Sequence, residues 1–464
     1  MNIQLSDHFT YKRLLRFVLP SIIMMVFTSI YGVVDGLCVS NFVGKTPFAA
    51  VNLIMPILMV LGALGFMIGT GGSAIVSQTL GEGKKEQASR YFSMLIYITI
   101  GAGIILTIIG EIFIEKIAFS LGADGEMLEY CVLYGRIILI SLTAFMLQNV
   151  FQSFLVTAQK PNIGLAITVA AGLTNVILDL LFVAIFKWGV TGAAIATAIS
   201  QIVGGFVPLI YFLRKNTALI HLTKFKFNSK VLLKTCTNGS SELMTNISLS
   251  LVNILYNFQL MKFAGEDGVA AYGVIMYVNF IFVAIYIGYS IGSAPIIGYN
   301  YGAGNHSELR NLFKICMTII GITGIALTLL SECLSSPLTK IFVGYDASLF
   351  TLTCNGFRLF SLAFLISGFN IFGSSFFTAL GNGAVSALIS FLRTLLFQVA
   401  AVLILPVFLG INGIWLAIVA AEVLSVFVTF IFIINQMIIS KNPQFTGISA
   451  RQQLEFTTHL LLTD

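Results

Sequence analysis

Long uncharged apolar runs break this chain into segments, and no other feature restricts its folding more. "VLPSIIMMVFTSIYGVV" covers residues 18–34 and "LIYITIGAGIILTIIG" covers residues 95–110, neither with a charged side chain. About 20 mostly apolar residues are needed for a helix to cross the hydrocarbon of a bilayer. The crossing segment must be helical or a closed barrel, because lipid offers no partner to a free backbone N–H or C=O. Twelve helical stretches satisfy this: 14–40, 48–80, 91–113, 131–158, 163–186, 189–213, 236–262, 269–299, 312–333, 351–379, 385–408 and 411–439. Of the 464 residues 57% are hydrophobic and 9% charged, which lies outside the range of soluble domains. The expectation is an all-α polytopic membrane protein with twelve transmembrane helices, short loops and no soluble domain of useful size. The opening "MNIQLSDHFTYKRLLRF" lacks a short apolar core with a small-residue cleavage site, so no signal peptide is expected.

Lysine and arginine placement sets the orientation, since basic flanks stay on the cytoplasmic side. With both termini inside, seventeen basic residues fall on inner segments, among them Lys84, Lys85, Arg214, Lys215, Lys441 and Arg451; five fall outside (Lys45, Lys116, Lys187, Lys262, Lys340). Both termini are therefore expected in the cytoplasm, with the protein in the cell's inner (plasma) membrane. The net charge of +6 follows from this asymmetry and does not point to nucleic acid.

The chain also repeats itself. "GTGGSAIVSQTLGEG" from Gly69 resembles "GYSIGSAPIIGYNYGAG" from Gly288, with Gly81 matching Gly302 and Gly83 matching Gly304, an offset of 221. That offset also pairs Phe151 with Phe372, Ser153 with Ser374, Thr157 with Thr378, and "GVTG" from Gly189 with "GING" from Gly410. Two homologous six-helix lobes follow. Because six is even, both lobes keep one orientation and should be related by an axis along the membrane normal, with substrate handled between them. The expected organisation is a first lobe over 1–213, a basic cytoplasmic linker over 214–235, a second lobe over 236–440 and a cytoplasmic tail over 441–464.

The repeat is an internal control on the polar residues. Asp35 corresponds to Tyr256, Asn175 to Leu396, Asp179 to Ala400 and Thr197 to Ile418, so four polar groups vanish in the second lobe. Asn175 and Asp179 are four residues apart and share one helix face. Thr197 lies in "GAAIATAIS", whose alanines permit close helix contact. A carboxylate at membrane depth costs about 2.5–3.5 kcal/mol on insertion scales and usually faces a cavity or partner. Burial and a second nearby carboxylate both oppose double ionisation, which favours a shared proton. The same oxygens suit Na+ equally well, so H+ and Na+ both remain open as coupling ions. If Na+ is the ion, Asp35, Asn175, Asp179 and Thr197 are also the metal ligands.

Other ionisable groups are less telling. Arg136 and Arg358 occupy nearly matching places and read as packing or snorkelling residues. Arg393 and Glu422 are deeper; each lines a second-lobe pathway or pairs with the other. Glu242, after a glycine, either caps the start of the seventh helix or lines the cavity. Pro20, Pro56 and Pro295 interrupt helices, with Pro20 the candidate hinge. The six cysteines show no paired spacing and read as free thiols packed as small apolar residues. None of the four histidines lies in a span, which excludes a buried His metal site or His proton relay. No G-x-x-x-x-G-K-[ST] loop is present, so nucleotide hydrolysis is not supported and no nucleotide partner or catalytic cofactor is expected.

"PIIGYNYGAGN", "VDGLCVSNFVGKTPFAAVN", "FQSFLVTAQKPN" and "NVILDLLFV" together resemble the bacterial multidrug and toxic compound extrusion (MATE) family over nearly the whole chain to about residue 440. The resemblance implies two six-helix bundles that rock around a central cavity and export lipophilic cationic, often aromatic, drugs in exchange for Na+ or H+. By position it makes Asp35 the helix 1 acid, Pro20 the helix 1 bend, and Asn175, Asp179 and Thr197 the rest of a first-lobe cation site. Glu242 is a loose match for an acid that other members carry in helix 7, and no clear aspartate matches their deeper second-lobe acid. Two other readings are weighed. A lipid-linked precursor flippase of the same superfamily shares the lobes but is typically longer and wants a cationic cavity. An intramembrane aspartyl protease also needs two membrane aspartates, but Asp35 and Asp179 lack its G-x-G-D context and the duplicated frame is superfluous to it.

Overall fold

A computed structural model describes residues 3–441; the tail expected over 441–464 lies outside the described residues beyond Lys441. Helices α1 to α6 are Tyr11–Phe42, Lys45–Gly81, Lys85–Ser120, Gly125–Thr157, Pro161–Ile185 and Gly189–Leu213. One helical stretch then runs over Ser229–Gly302, broken at Gly265, where φ is 62° and ψ is −149°. The break makes it two spans, α7 before Gly265 and α8 after it. Helices α9 (His306–Val343), α10 (Ala347–Ser361 with Phe364–Ala379, bent by 46°), α11 (Gly383–Leu409) and α12 (Ile411–Lys441) complete twelve. No strand occurs among the described residues.

Gly265 lies 221 residues after Gly44, the α1–α2 corner, which also has positive φ; Gly83 with Gly304 and Gly189 with Gly410 repeat the same device. These are places where the backbone turns left-handed and a Cβ would be strained. The repeat is thus one of corners as well as spans. Side chains follow it too: Arg136 reaches Glu111 at 3.7 Å and Arg358 reaches Glu332 at 3.9 Å, both acids lying 221 residues apart. Their partial exposure gives these pairs little energetic weight, so they are local packing features.

Packing between the lobes has the form of a two-fold interface made by one chain. A Cβ at Gly81 of α2 would strike the carbonyl of Tyr299 in α8, and a Cβ at its repeat partner Gly302 would strike the carbonyl of Gln78 in α2. Likewise Gly71 of α2 abuts Gly239 of α7, while its repeat partner Gly292 of α8 abuts Val18 of α1. In lipid, where no hydrophobic force drives helices together, such small-residue contacts let backbones approach and gain dispersion energy.

The hydrogen bonds that join the lobes among the described residues gather at the end where α1 begins and α12 ends, the terminal end. Gln78 Nε2 donates to the Ala379 carbonyl at 2.7 Å. Residues 3–10, preceding α1, cross to the second lobe as a strap. Leu5 and Phe9 are fully buried in its core. Phe9 N–H donates to Glu308 Oε1 at 2.9 Å, Asn311 Nδ2 donates to the Phe9 carbonyl at 2.9 Å, and His8 Nδ1 lies 2.6 Å from Glu308 Oε2. At the opposite end, Gly32 and Gly36 of α1 and Gly273 of α8 have nothing within 4 Å of a Cβ position. Among the described residues the lobes are thus hydrogen-bonded together at the terminal end and not at the other, termed the open end.

Candidate functional site

Helices α1, α5 and α6 build a polar cluster in the first lobe, nearer the open end. Gly172 of α5 leaves the room that the rings of Phe27 and Tyr31 on α1 occupy, and Ser200 Oγ of α6 donates to the Ala171 carbonyl of α5 at 2.9 Å. With the helices so close, Asp35 of α1 comes up against Asp179 and Asn175 of α5 and Thr197 of α6. All four residues singled out by the broken repeat therefore meet. Asp179 is fully buried and Asn175 is 2% exposed, while Asp35 and Thr197 are half-buried.

Asp179 sits where α5 changes hydrogen-bond register: Leu180–Ile185 is a π-helical turn. Such turns recur at functional sites because the extra residue releases backbone groups and re-aims side chains. The cluster is not satisfied within the protein. Asp35 Oδ1, Asn175 Nδ2, both oxygens of Asp179 and Thr197 Oγ1 are buried and make no hydrogen bond of good geometry, although Asp35 lies within reach of the other three residues. Leaving one buried polar group unpaired costs about 1–3 kcal/mol, more for a charged one. Four of the five are oxygens, and four in one place fit a cation that arrives from outside, while Asn175 Nδ2 can only donate. Two carboxylates, an amide and a hydroxyl form the oxygen-rich set that hard cations prefer, and two facing carboxylates equally hold a proton between them.

Sequence reasoning missed the neutral side chains around this cluster. Tyr134 of α4 and Cys38 of α1 lie within electrostatic reach of both aspartates, and Tyr31 contacts Gln148 close to Asp35. A tyrosine or thiol inside an apolar span carries no distinguishing signal. Pro20 lies inside an unbroken α1, beside the crossing where Gly288 and Gly292 of α8 abut Val18, Ser21 and Ile22.

The second lobe is organised differently. Tyr256, at the place of Asp35, is fully buried and stacks on Tyr272 with ring centroids 5.0 Å apart. Of the two sequence readings for Arg393 and Glu422, the structure has them paired. Arg393 Nη2 donates to Glu422 Oε1 at 2.7 Å, and its Nε donates to Oε1 and Oε2 at 2.9 and 3.0 Å. Asn370 Nδ2 donates to Glu422 Oε2 at 2.6 Å, and Thr429 Oγ1 donates to Asn370 Oδ1 at 3.0 Å. Glu242 does not cap a helix start: α7 begins at Ser229, so Glu242 lies well inside the helix, half-buried and facing Arg393. The helix extends below its apolar run, and the hydropathy pattern marked only that run.

Comparison with known proteins agrees with this architecture. The MatE family model matches the chain twice, over residues 20–181 and 243–404, at nearly the spacing of the internal repeat. The multidrug export protein MepA of Staphylococcus saprophyticus is 25% identical over 407 residues, covering 87% of this chain and 88% of its own. MepA of Staphylococcus haemolyticus is 27% identical over 326 residues, covering 68% and 72%. A multidrug resistance MATE family transporter of the MOP superfamily, solved in an outward-facing conformation, superposes with a TM-score of 0.87 at 24% identity, covering 93% of this chain and 96% of that one. Matched by one family model in each lobe, over well more than half its length, the chain belongs to the MatE family.

Proposed function

We propose that this MatE-family protein is a multidrug efflux transporter that exchanges H+ or Na+ for lipophilic cationic small molecules by alternating access. In this reading it is not an enzyme, and it sits in the plasma membrane with both termini cytoplasmic. The observation that carries the reading is the cluster of buried, unsatisfied polar atoms on Asp35, Asn175, Asp179 and Thr197. With the termini cytoplasmic, the open end faces outward. The coupling ion enters there and neutralises the cluster. Neutralisation changes how α1 packs on α5 and α6, with Pro20 as the hinge, and weakens the hold on a cationic drug, which leaves outward. Inward reorientation then returns the ion to the cytoplasmic side. Coupling of this kind requires ion and drug to prefer different states of the same equilibrium.

The test uses purified protein in liposomes, following uptake of a fluorescent lipophilic cation into inside-out vesicles under a pH gradient alone and then a Na+ gradient alone. Wild type is expected to follow one gradient, and an Asp35→Asn, Asp179→Asn double variant to lose that transport while inserting normally. A variant that pumps at the wild-type rate would overturn the reading, as would flipping of a lipid-linked precursor with no cation transport under either gradient.

A further inference from the structure

In each lobe the same three helices carry a cluster of acids within the spans, but in opposite states of completion. In the first lobe, α1, α5 and α6 hold Asp35, Asn175, Asp179 and Thr197, five of whose buried polar atoms make no hydrogen bond of good geometry. In the second lobe their repeat equivalents α7, α11 and α12 hold Glu242, Arg393 and Glu422. Here the accounts of the pair are closed. Both oxygens of Glu422 receive Arg393, one also receives Asn370, and Asn370 in turn receives Thr429. The side chains of Arg393 and Glu422 are 16% and 4% exposed. Arg393 is carried on a π-helical turn, Leu392–Leu396, as Asp179 stands at the start of one in α5.

We propose that Arg393 is a tethered counter-cation: it supplies to the second lobe the positive charge that an exchangeable ion supplies to the first, so only the first lobe exchanges an ion. This rests on the reading that the Asp35 and Asp179 cluster is the coupling-ion site. A guanidinium does not release its proton in a protein, and the three Arg393 contacts together with the Asn370 amide occupy the roughly four lone-pair sites of the Glu422 carboxylate, leaving none toward a mobile cation. Glu422 thereby stays paired throughout the cycle, with no oxygen left for a mobile ion. Position 172, the repeat equivalent of Arg393, is glycine, and position 201, the equivalent of Glu422, is a glutamine that accepts from Ser141 Oγ at 2.7 Å. The first lobe therefore has no built-in counterpart to this pair, which is why its carboxylates stay available. The other ionisable groups facing Glu422 or Arg393 are Glu242 and Tyr256 on α7 and Tyr286 on α8. Glu242 is the one acid among them outside the two-pronged bond, and it serves as the control.

The experiment counts ion-binding events on the full-length protein in lipid nanodiscs, by calorimetric titration with sodium chloride at fixed pH and by proton uptake on an acid step. Wild type is expected to bind, and Asp35→Asn, Asp179→Asn to bind neither ion. Adding Arg393→Gln to that double variant is expected to create one saturable event, and adding Glu422→Gln as well to abolish it. Ion binding that persists in the double variant would overturn the proposal. So would no new event in a folded Arg393→Gln form, or a new event removed by Glu242→Gln rather than Glu422→Gln. Should Arg393→Gln fail to fold, Arg393→Lys in the same background decides: no event upholds the tethered charge and an event refutes it. If wild type binds nothing, the first-lobe reading fails, while the Arg393→Gln arm still judges the second lobe.

Discussion

Thr197 separates the two candidate coupling ions. A proton needs only a carboxylate pair to hold it, whereas Na+ needs a shell of oxygens, to which the Thr197 hydroxyl adds one. Thr197→Val removes that oxygen at nearly constant volume. A polar contact to a charged group contributes about 1.5–3 kcal/mol, so Na+-driven efflux in liposomes is expected to need about 10- to 150-fold more Na+. Proton-driven efflux is expected to stay at the wild-type level. Loss of proton-driven transport in a well-folded Thr197→Val protein would make the hydroxyl a structural group. Much of this site was legible in the sequence, because Asn175 and Asp179 share a helix face and the repeat replaces them with Leu396 and Ala400. That Asp35 reaches them from α1 was not derivable from spacing, since it depends on how close Gly172 lets α1 and α5 approach. Burial of an apolar residue in a membrane span is the default, so Tyr134 and Cys38 gave no sign of their place beside the acids.

Among the structural elements, the strap over residues 3–10 had the weakest sequence signal and has a direct mechanical consequence. Leu5 and Phe9 are isolated apolar residues in a polar stretch, too few for any periodicity. Their burial depends on Glu308, Asn311 and Asn300 lying some 300 residues away in sequence and accepting or donating along the strap backbone. The strap joins the lobes at the closed end, so on the proposed reading it detaches when that end opens. Phe9→Ala removes its largest buried side chain, a change that costs about 3–5 kcal/mol in a packed core. It is expected to raise the population open at the terminal end. Cys236 of α7, a half-buried residue packed against the first lobe at that end, reports it. Alkylation of Cys236, followed by mass spectrometry, is expected to speed up at least tenfold in Phe9→Ala, while exposed Cys333 reacts at an unchanged rate. Equal Cys236 rates in the two proteins would show that the glycine crossings alone hold the end shut. The π-helical turns were equally hidden, since an extra residue per turn over five or six residues leaves hydropathy unchanged.

For the whole molecule, the twelve spans and their two-lobe order were readable because lipid makes helix length and apolarity obligatory. Which end ties the lobes together was not readable, because it changes no span. The near-symmetry of the lobes supplies the physical basis for switching. Gly81 against Tyr299 and Gly302 against Gln78 form one self-complementary crossing, about which, on the proposed reading, the lobes rock. An ion bound to one lobe moves that equilibrium only by the difference between its affinities for the two states. Coupling free energies are typically about 1–3 kcal/mol, a 5- to 150-fold shift in the ratio of states. Gly32 of α1 and Gly273 of α8 stand in opposite lobes toward the open end, and neither has an atom within 4 Å of its Cβ position, so each accepts a cysteine-linked spin label. Measured by pulsed electron resonance in nanodiscs, the distance distribution between labels at 32 and 273 is expected to change weight between two populations when the coupling ion is added. The same labels in the Asp35→Asn, Asp179→Asn background are expected to give one distribution with or without the ion. If the variant still responds, the energy that moves the lobes enters somewhere other than the first-lobe cluster.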